Sequence, residues 1–249
     1  MKELRKHGLS FVESAIEKDD EAFTISKELI ECLFCDISKL STKYCNEIFC
    51  DLPYTYSERR IDCVLLPALS KLSHSMVLVE LPAHRHCSNR KFKVNDSNGR
   101  IDYWCIYKGY SFVIELKHSF DCFTTQKTRD DKVVNRWLKM NEQLESVKDE
   151  VRLYEEQTKG VIRIGVHIIT SYSDKAPDKD LVSQFRDSIP DTMERLTKDL
   201  GKRYPSLKPD VIICWKIPNK IIFSVEQTFP GLWAVAKIYP PIQHRGATK

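Results

Sequence analysis

Three ionisable residues interrupt two apolar, strand-like runs in the middle of the chain. Asp102 lies in the run 101–107, and Glu115 lies near the end of the run 110–116, with Lys117 directly after it. A charged group in a sheet is costly to bury unless it is paired or bound to a metal ion. Carboxylate oxygens suit Mg²⁺ or Mn²⁺, and a lysine ammonium can contact a phosphate or a water molecule. The residue types therefore point to metal-assisted chemistry on a phosphate.

The spacing of these residues predicts that their side chains meet. The two runs flank Lys108-Gly109, and a two-residue link that contains glycine indicates a β-hairpin. Pairing about this turn places Asp102 opposite Glu115, with Cβ atoms roughly 4.5–5.5 Å apart. Glu115 and Lys117 share a face because side chains alternate along a strand. Two carboxylates so close repel each other unless a cation lies between them, and Lys117 would stand beside the pair.

The sequence around these residues resembles the PD-(D/E)xK nuclease superfamily, whose members have the restriction-endonuclease-like fold. The resemblance rests on Asp102, on the Glu115-Leu116-Lys117 that follows after twelve residues, on the Gly-Arg-Ile-Asp lead-in and on the apolar residues 112–114. Ile101 stands where the proline of the family name would be. The resemblance covers roughly residues 55–216.

The resemblance implies a metal-dependent nuclease that hydrolyses DNA phosphodiester bonds. Asp102 and Glu115 would hold Mg²⁺ or Mn²⁺, with the Leu116 carbonyl in the shell, and Lys117 would act on the attacking water or the pentavalent phosphorus. In this family a helix before the core strands often carries a further glutamate, for which Glu58 is the candidate. A glutamate in a first helical turn also offsets the helix dipole without any catalytic role, and both interpretations of Glu58 stay open.

A basic stretch follows Lys117 and leads into a helix predicted from about Asp130 to Glu156. This stretch is either an ordinary solvated face or a stripe that contacts phosphates beside the active site, with salt-sensitive affinity. The second interpretation makes DNA the partner, and cutting both strands would favour a homodimer. The residues of the stripe are Lys127, Arg129, Lys132 and Arg136.

The other patterns predict the elements that must position this site. Their order is α-β-β-β-α-β, which indicates an α/β protein with a central mixed β-sheet flanked by helices and an N-terminal helical extension. This order matches the restriction-endonuclease-like core that the resemblance implies. The predicted helices are 9–18, 22–40, 58–72 and 181–200, and the predicted strands outside the hairpin are 75–81 (ended by Pro82), 91–94, 161–170, 210–216, 221–225 and 233–239.

Length and composition predict one main domain. The chain has 249 residues, of which 42% are hydrophobic, so it can bury a sizeable core. We expect the helical extension at residues 1–50, the nuclease-like domain at 51–240 and a mobile tail at 241–249. The net charge of +4 neither demands nor excludes a polyanionic partner.

Membrane spans, a signal peptide and a disulfide framework are not expected. No apolar run approaches the roughly 18–20 residues that cross a bilayer, and no apolar region follows the charged N-terminus. Nine cysteines, scattered among core-like positions, favour a reducing, cytoplasmic location. Cys32, Cys35, Cys45 and Cys50 have spacings compatible with zinc, but burial as free thiols is the favoured interpretation because the first two lie in a predicted helix.

Two other functions remain open from the sequence. The chain could be a catalytically inactive nuclease-like module that binds nucleic acid or protein. Alternatively, Asp102, Glu115 and Lys117 could form ion pairs in an unrelated α/β protein, because a three-residue motif also arises by chance. A stand-alone nuclease of this size would serve restriction, phage defence or repair, and no helicase motif or recognisable DNA-reading module chooses among these roles.

Overall fold

A seven-stranded mixed sheet carries the site residues. The computed structural model describes residues 9–13, 20–49, 52–55, 57–85, 97–122, 131–147, 158–173, 180, 183–184, 201–217 and 228–242. The helices α1 to α3 are Glu21–Tyr44, Glu58–Leu72 and Asp131–Ser146. The strands β1 to β7 are Leu9–Glu13, Val77–Arg85, Ser97–Tyr107, Tyr110–Cys122, Val161–Ser173, Val211–Lys216 and Thr228–Ile242. Shorter turns include a π-helix at Cys45–Phe49 and 3-10 helices at Pro53–Thr55 and Pro205–Leu207.

The strands lie in the order β1-β6-β7-β5-β4-β3-β2. β4 and β5 are parallel, and every other neighbouring pair is antiparallel. β5 occupies the middle of the sheet, and its near-continuous burial matches the apolar run that predicted a central strand. The elements α2, β2, β3, β4, α3 and β5 follow the predicted α-β-β-β-α-β order. The chain is therefore an α/β protein with a mixed sheet and an N-terminal helix, as expected.

Helices cover both faces of the sheet. On one face the apolar stripes of α1 and α2, including Phe34 and Ile61, pack against Phe112 of β4 in the largest core cluster. On the other face α3 buries Trp137 and Met140 against β5, β6 and β7. Because α1 belongs to the main core and β1 pairs with β6, these two described elements before residue 50 pack with the rest of the chain. The proposed boundary at residue 50 stays a prediction.

The β3–β4 hairpin has the predicted register. Its ladder runs from Tyr107 opposite Tyr110 to Tyr103 opposite Ile114. Lys108 and Gly109 have φ values of 49° and 81°, and two positive φ values are what the twist of a two-residue hairpin requires. The regular ladder therefore ends one pair before the two acids.

The first predicted helix is wrong over the residues that the structure describes. Residues 9–13 form β1, which pairs with β6 at the edge of the sheet, and Leu9 is 1% exposed. Ladder hydrogen bonds and burial against the sheet outweigh local helical preference in so short a segment. Residues 14–18 lie outside the described residues. The second helix is confirmed and begins after Asp20, whose carboxylate accepts the Ala22 N–H at 2.9 Å.

Pro82 does not end the strand before the hairpin. β2 continues through it to Arg85, with Pro82 paired with Arg100 of β3. Proline is tolerated here because β2 is an edge strand of the sheet. Glu80, with a φ of 52°, interrupts the same ladder at the level of Asp102.

Several other boundaries differ from the predictions. α3 ends at Ser146 rather than near 156, and residues 148–157 lie outside the described part. β7 extends to Ile242, so the first two residues of the predicted tail belong to a strand. The predicted strands 91–94 and 221–225, and nearly all of the predicted helix 181–200, fall outside the described residues. In the described part of the chain, no helix is long and apolar enough to cross a membrane.

Candidate active site

The site lies in a fork where β3 and β4 separate beyond Tyr103 and Ile114. In an antiparallel ladder, alternate residues direct both backbone groups toward the partner strand. The closing pair of a two-residue hairpin is hydrogen-bonded, so the even-numbered residues of β4, including Leu116 and His118, direct their N–H groups toward β3. Where β3 departs, these donors need other acceptors.

Two carboxylates replace the missing ladder partners. Asp102 Oδ2 accepts the Leu116 N–H at 2.7 Å, and Glu58 Oε2 accepts the His118 N–H at 2.9 Å. Glu58 is the first residue of α2, so the helix delivers its carboxylate to the edge of β4 from outside the sheet. The fork is thus lined by acids that also satisfy its backbone.

Lys117 joins the two predicted acids. Its Nζ lies 2.8 Å from Glu115 Oε1, 3.0 Å from the Leu116 carbonyl and 3.7 Å from Asp102 Oδ2. The side chain of Glu115 is 3% exposed, whereas those of Lys117 and Asp102 are 15% and 28% exposed. The predicted meeting of these three residues therefore occurs, and it opens to solvent on the Asp102 side.

Burial and the charges of the same cluster shift the pKa of the Glu58 carboxyl. Burial raises the pKa of its carboxyl above the usual value, and the nearby Asp102 charge acts in the same direction. Lys117, the His118 N–H and Arg136 lower that pKa. Glu58 is consequently part of the electrostatic environment of the fork. The sequence alone had left open whether Glu58 belongs to the site or only offsets the dipole of α2.

Of the four predicted phosphate-contacting residues, the structure describes two. Lys132 and Arg136 are exposed on α3. The positive charge of Arg136 acts on the fork, because it lowers the pKa of Glu58 and contributes to the low pKa of His118. Lys127 and Arg129 lie outside the described residues.

Comparisons with protein-family models, with curated proteins and with solved structures find no match. Function is therefore inferred from the residues of the fork and from general chemistry.

A buried hydrogen-bonded chain behind the fork was not predicted from the sequence. His118 Nε2 lies 2.9 Å from Thr170 Oγ1, and this hydroxyl donates to the Tyr54 carbonyl at 3.1 Å. Burial lowers the pKa of His118 to about 4, so its ring is neutral near pH 7. A polar threonine near the end of an apolar strand was the only sequence signal, and its partners are remote in sequence.

A second buried histidine lies beside Lys117. His167 on β5 is aligned with Lys117 and hydrogen-bonds through Nε2 with the Ser119 hydroxyl. Burial lowers its pKa to about 3, and the charges of Lys117 and Arg136 act in the same direction. His167 is therefore a buried, hydrogen-bonded residue of the sheet.

Two other acids near the fork have different partners. Asp62 accepts the hydroxyl of the buried Tyr103, and Glu80 pairs with the exposed Arg100. Neither contact belongs to the cluster around Lys117.

The cysteines show no sign of a zinc site among the described residues. Within that part of the chain, no group of three or more His, Cys, Asp and Glu side chains is arranged to hold a metal ion. Cys32, Cys35 and Cys45 are free thiols, and burial raises the pKa of Cys32 and Cys35, which disfavours the thiolate that zinc requires. Cys50 lies outside the described residues.

Proposed function

We propose that this protein is a metal-dependent nuclease of the PD-(D/E)xK type, with a restriction-endonuclease-like fold, that hydrolyses DNA phosphodiester bonds. The observation that carries the proposal is the meeting of Asp102 and Glu115, from neighbouring strands, around the Lys117 ammonium at an open fork. The α-β-β-β-α-β order of the elements around this fork supports it.

The oxygens of the fork suit a hard divalent cation. Asp102, Glu115 and Glu58 offer carboxylates, and the Leu116 carbonyl lies on the same side of β4. The Lys117 ammonium shows that these oxygens attract a positive group, because it contacts Glu115 and Leu116 and lies near Asp102. Among the described residues no three acids already surround one metal position, and the Lys117 ammonium lies between Glu115 and Asp102. Once Lys117 turns away, Mg²⁺ or Mn²⁺ held by Asp102, Glu115, Glu58 and the Leu116 carbonyl would supply Lewis-acid chemistry and a water molecule of lowered pKa.

The protein's own residues then have separable tasks. Lys117, with three donors on a flexible stem, can turn from Glu115 toward a phosphate oxygen or the attacking water. Arg136, exposed on α3 and near enough for its charge to lower the pKa of Glu58, can contact a neighbouring phosphate and so fix the position of the nucleic-acid strand. Glu115 is nearly buried, which keeps its carboxylate in place and limits competition from bulk water.

A cleavage assay with variants tests the proposal. The purified protein is incubated with supercoiled plasmid and with single- and double-stranded DNA and RNA oligonucleotides, in Mg²⁺, Mn²⁺ or EDTA. We expect DNA cleavage that requires the metal, and a loss of at least roughly 100-fold in rate for Asp102→Ala and for Lys117→Ala, because each removes a group at the reacting phosphate. Circular dichroism checks that both variants keep their fold.

The matched control is Glu28→Gln. Glu28 pairs with Lys108 at the opposite end of the same hairpin, so its loss removes a carboxylate without touching the fork. This variant should cleave like the wild type. Undiminished cleavage by Asp102→Ala or Lys117→Ala would contradict the assignment of the catalytic site to these residues.

A catalytically inactive module that binds nucleic acid or protein is the second candidate. The observation in its favour is that Lys117 already provides a countercharge for Glu115, so this nearly buried carboxylate has a cationic partner within the chain. A crystal soaked in Mn²⁺ discriminates between the candidates. An anomalous peak between Asp102 and Glu115 supports the nuclease, whereas DNA binding without such a peak supports the module.

A further inference from the structure

His118 and Thr170 link the metal-facing fork to the segment that begins α2. Their hydrogen bonds form a continuous path from β4 through β5 to the Tyr54 carbonyl, four residues before Glu58. Glu58 closes the path by accepting the backbone N–H of His118 itself. A single residue of β4 is thus tied to the start of α2 twice, once through its backbone and once through its side chain.

The direction of each hydrogen bond follows from the available protons. A carbonyl oxygen only accepts, so the single hydroxyl proton of Thr170 is directed to Tyr54. The contact between Thr170 Oγ1 and His118 Nε2 must then use the imidazole N–H. The neutral ring of His118 therefore carries its proton on Nε2, and its edge contact with Phe120, with ring centroids 4.6 Å apart, helps to fix its orientation.

The start of α2 needs such an anchor. Ser57 is its N-cap residue, yet the Ser57 side chain makes no capping hydrogen bond. The 3-10 turn Pro53–Thr55 precedes it, and the ring of Tyr54 packs edge-on against Trp215 at 5.8 Å. Thr170 is 0% exposed and His118 is 1% exposed, so water does not readily replace either hydrogen bond.

We propose that His118 and Thr170 are positioning residues that hold the first turn of α2 against β4, so that the Glu58 carboxylate stays in the fork. The role in metal binding rests on the proposed function, whereas the placement of Glu58 does not. Neither side chain contacts the oxygens that would hold the cation, although the backbone N–H of His118 donates to Glu58 Oε2. Both side chains act through the Tyr54 carbonyl, four residues before Glu58.

The test uses Thr170→Val, which keeps the shape of the side chain and removes its hydroxyl. Two quantities are measured on the full chain: amide hydrogen exchange of His118 by NMR, and the affinity for Mn²⁺ alone by electron paramagnetic resonance. We expect exchange of the His118 amide to accelerate about tenfold and Mn²⁺ affinity to fall by roughly 10-fold or more, the usual loss when a partner that orients a metal ligand is removed. Thr170→Ser, which retains the hydroxyl, should restore both.

Two further variants guard against a general loss of stability. His118→Phe keeps an aromatic ring beside Phe120 but lacks the Nε2 donor, and it should lower Mn²⁺ affinity as Thr170→Val does. Ser73→Ala removes an equally buried hydroxyl, which donates to the Leu69 carbonyl at 2.8 Å at the other end of α2. It should change neither quantity.

The outcomes separate the inference from the proposed function. Wild-type exchange of the His118 amide in Thr170→Val overturns the inference, as does acceleration spread evenly over the amides of the whole sheet. A wild-type protein that neither binds Mn²⁺ nor cleaves DNA overturns the proposed function, while the exchange data still decide whether Thr170 places Glu58. If Thr170→Val accelerates exchange of the His118 amide alone and leaves Mn²⁺ affinity unchanged, the two residues have no role in metal binding.

Discussion

The carboxylate of Asp102 accepts the backbone N–H of Leu116 at 2.7 Å, so an acid of β3 takes the place of a ladder partner of β4. The same carboxylate lies 3.7 Å from the Lys117 ammonium. Asp102 therefore closes the ladder and contributes charge to the fork, and these two contributions can be separated by substitution.

Asp102→Asn and Asp102→Ala should differ in stability but agree in activity. The amide oxygen of asparagine still accepts the Leu116 N–H, so we expect its unfolding free energy to stay within about 0.5 kcal/mol of wild type, whereas alanine should cost about 1 kcal/mol because the site is only partly shielded from water. Both should abolish metal-dependent cleavage. Urea denaturation measures the first quantity, and equal stability of the two variants would contradict the structural role of Asp102.

Lys117→Met should bind Mn²⁺ more tightly than the wild type and yet fail to cleave. The ammonium contacts Glu115 and the Leu116 carbonyl, so it competes with a cation for the same oxygens. We expect affinity to rise roughly 5- to 10-fold, equivalent to about 1–1.4 kcal/mol, as measured by calorimetry. Lys108→Met, at the hairpin turn, is the control and should bind as wild type does. Weaker binding by Lys117→Met would show that the ammonium does not compete.

Arg136→Ala should lower the salt dependence of DNA binding. Removing one phosphate contact reduces the slope of log Kobs against log salt concentration by about 0.9. Fluorescence anisotropy with EDTA present measures this slope without cleavage. The control is Lys43→Ala on α1, which is exposed on the opposite face of the sheet. Equal slopes for Arg136→Ala and the wild type would show that Arg136 of α3 makes no phosphate contact.

His167→Gln should make stability less dependent on pH. Burial lowers the pKa of His167 to about 3 from an ordinary value of 6.5. Below about pH 6.5 its imidazole is therefore protonated in the unfolded chain and stays neutral in the folded chain. Folding stability should therefore fall as pH falls. Between pH 7.5 and 5.0 the loss from this residue is about 1–2 kcal/mol.

Urea denaturation at the two pH values measures that loss. We expect it to be smaller in His167→Gln, while His74→Gln, at an exposed position, should match the wild type. A pH dependence in His167→Gln as large as in the wild type would show that His167 is charged in the folded protein.

Gly165→Ala should disturb the contact between α3 and the sheet at the level of Glu115. Glu115 and Gly165 are aligned on β4 and β5. A Cβ atom at position 165 would lie 2.6 Å from Met140 Cε and 2.9 Å from Leu144 Cδ1. We expect a cost of about 1–2 kcal/mol, moderated because these side-chain ends can move. In a Met140→Ala background the cost should shrink, and strict additivity in the double-mutant cycle would contradict this packing.

Local sequence predicted the hairpin because its determinants are local. The turn at Lys108-Gly109 fixes the register, and the register fixes which residues stand opposite Asp102. The same reasoning was wrong for residues 9–13, since the partner of β1 is β6, about 200 residues later, and only pairing with it makes that segment a strand.

The contacts that complete the fork join distant parts of the chain. Glu58 and His118 are 60 residues apart, and Thr170 and Tyr54 are 116 residues apart. No periodicity or motif encodes such distances. Glu58 was a candidate only through a family resemblance, and Thr170 was not a candidate because a threonine in an apolar strand has no local signal of its partner.

The acids of the fork have a consequence for the evolution of this chain. Asp102 and Glu58 each accept a backbone amide of β4, so selection for folding preserves an oxygen at both positions even when selection for chemistry is relaxed. Under the proposed function, descendants that lose cleavage should accumulate Asn and Gln there before any apolar residue. Such relatives would have the same fold. The inactive ones would differ from the active ones by the replacement of one carboxylate oxygen with an amide nitrogen at positions 102 and 58.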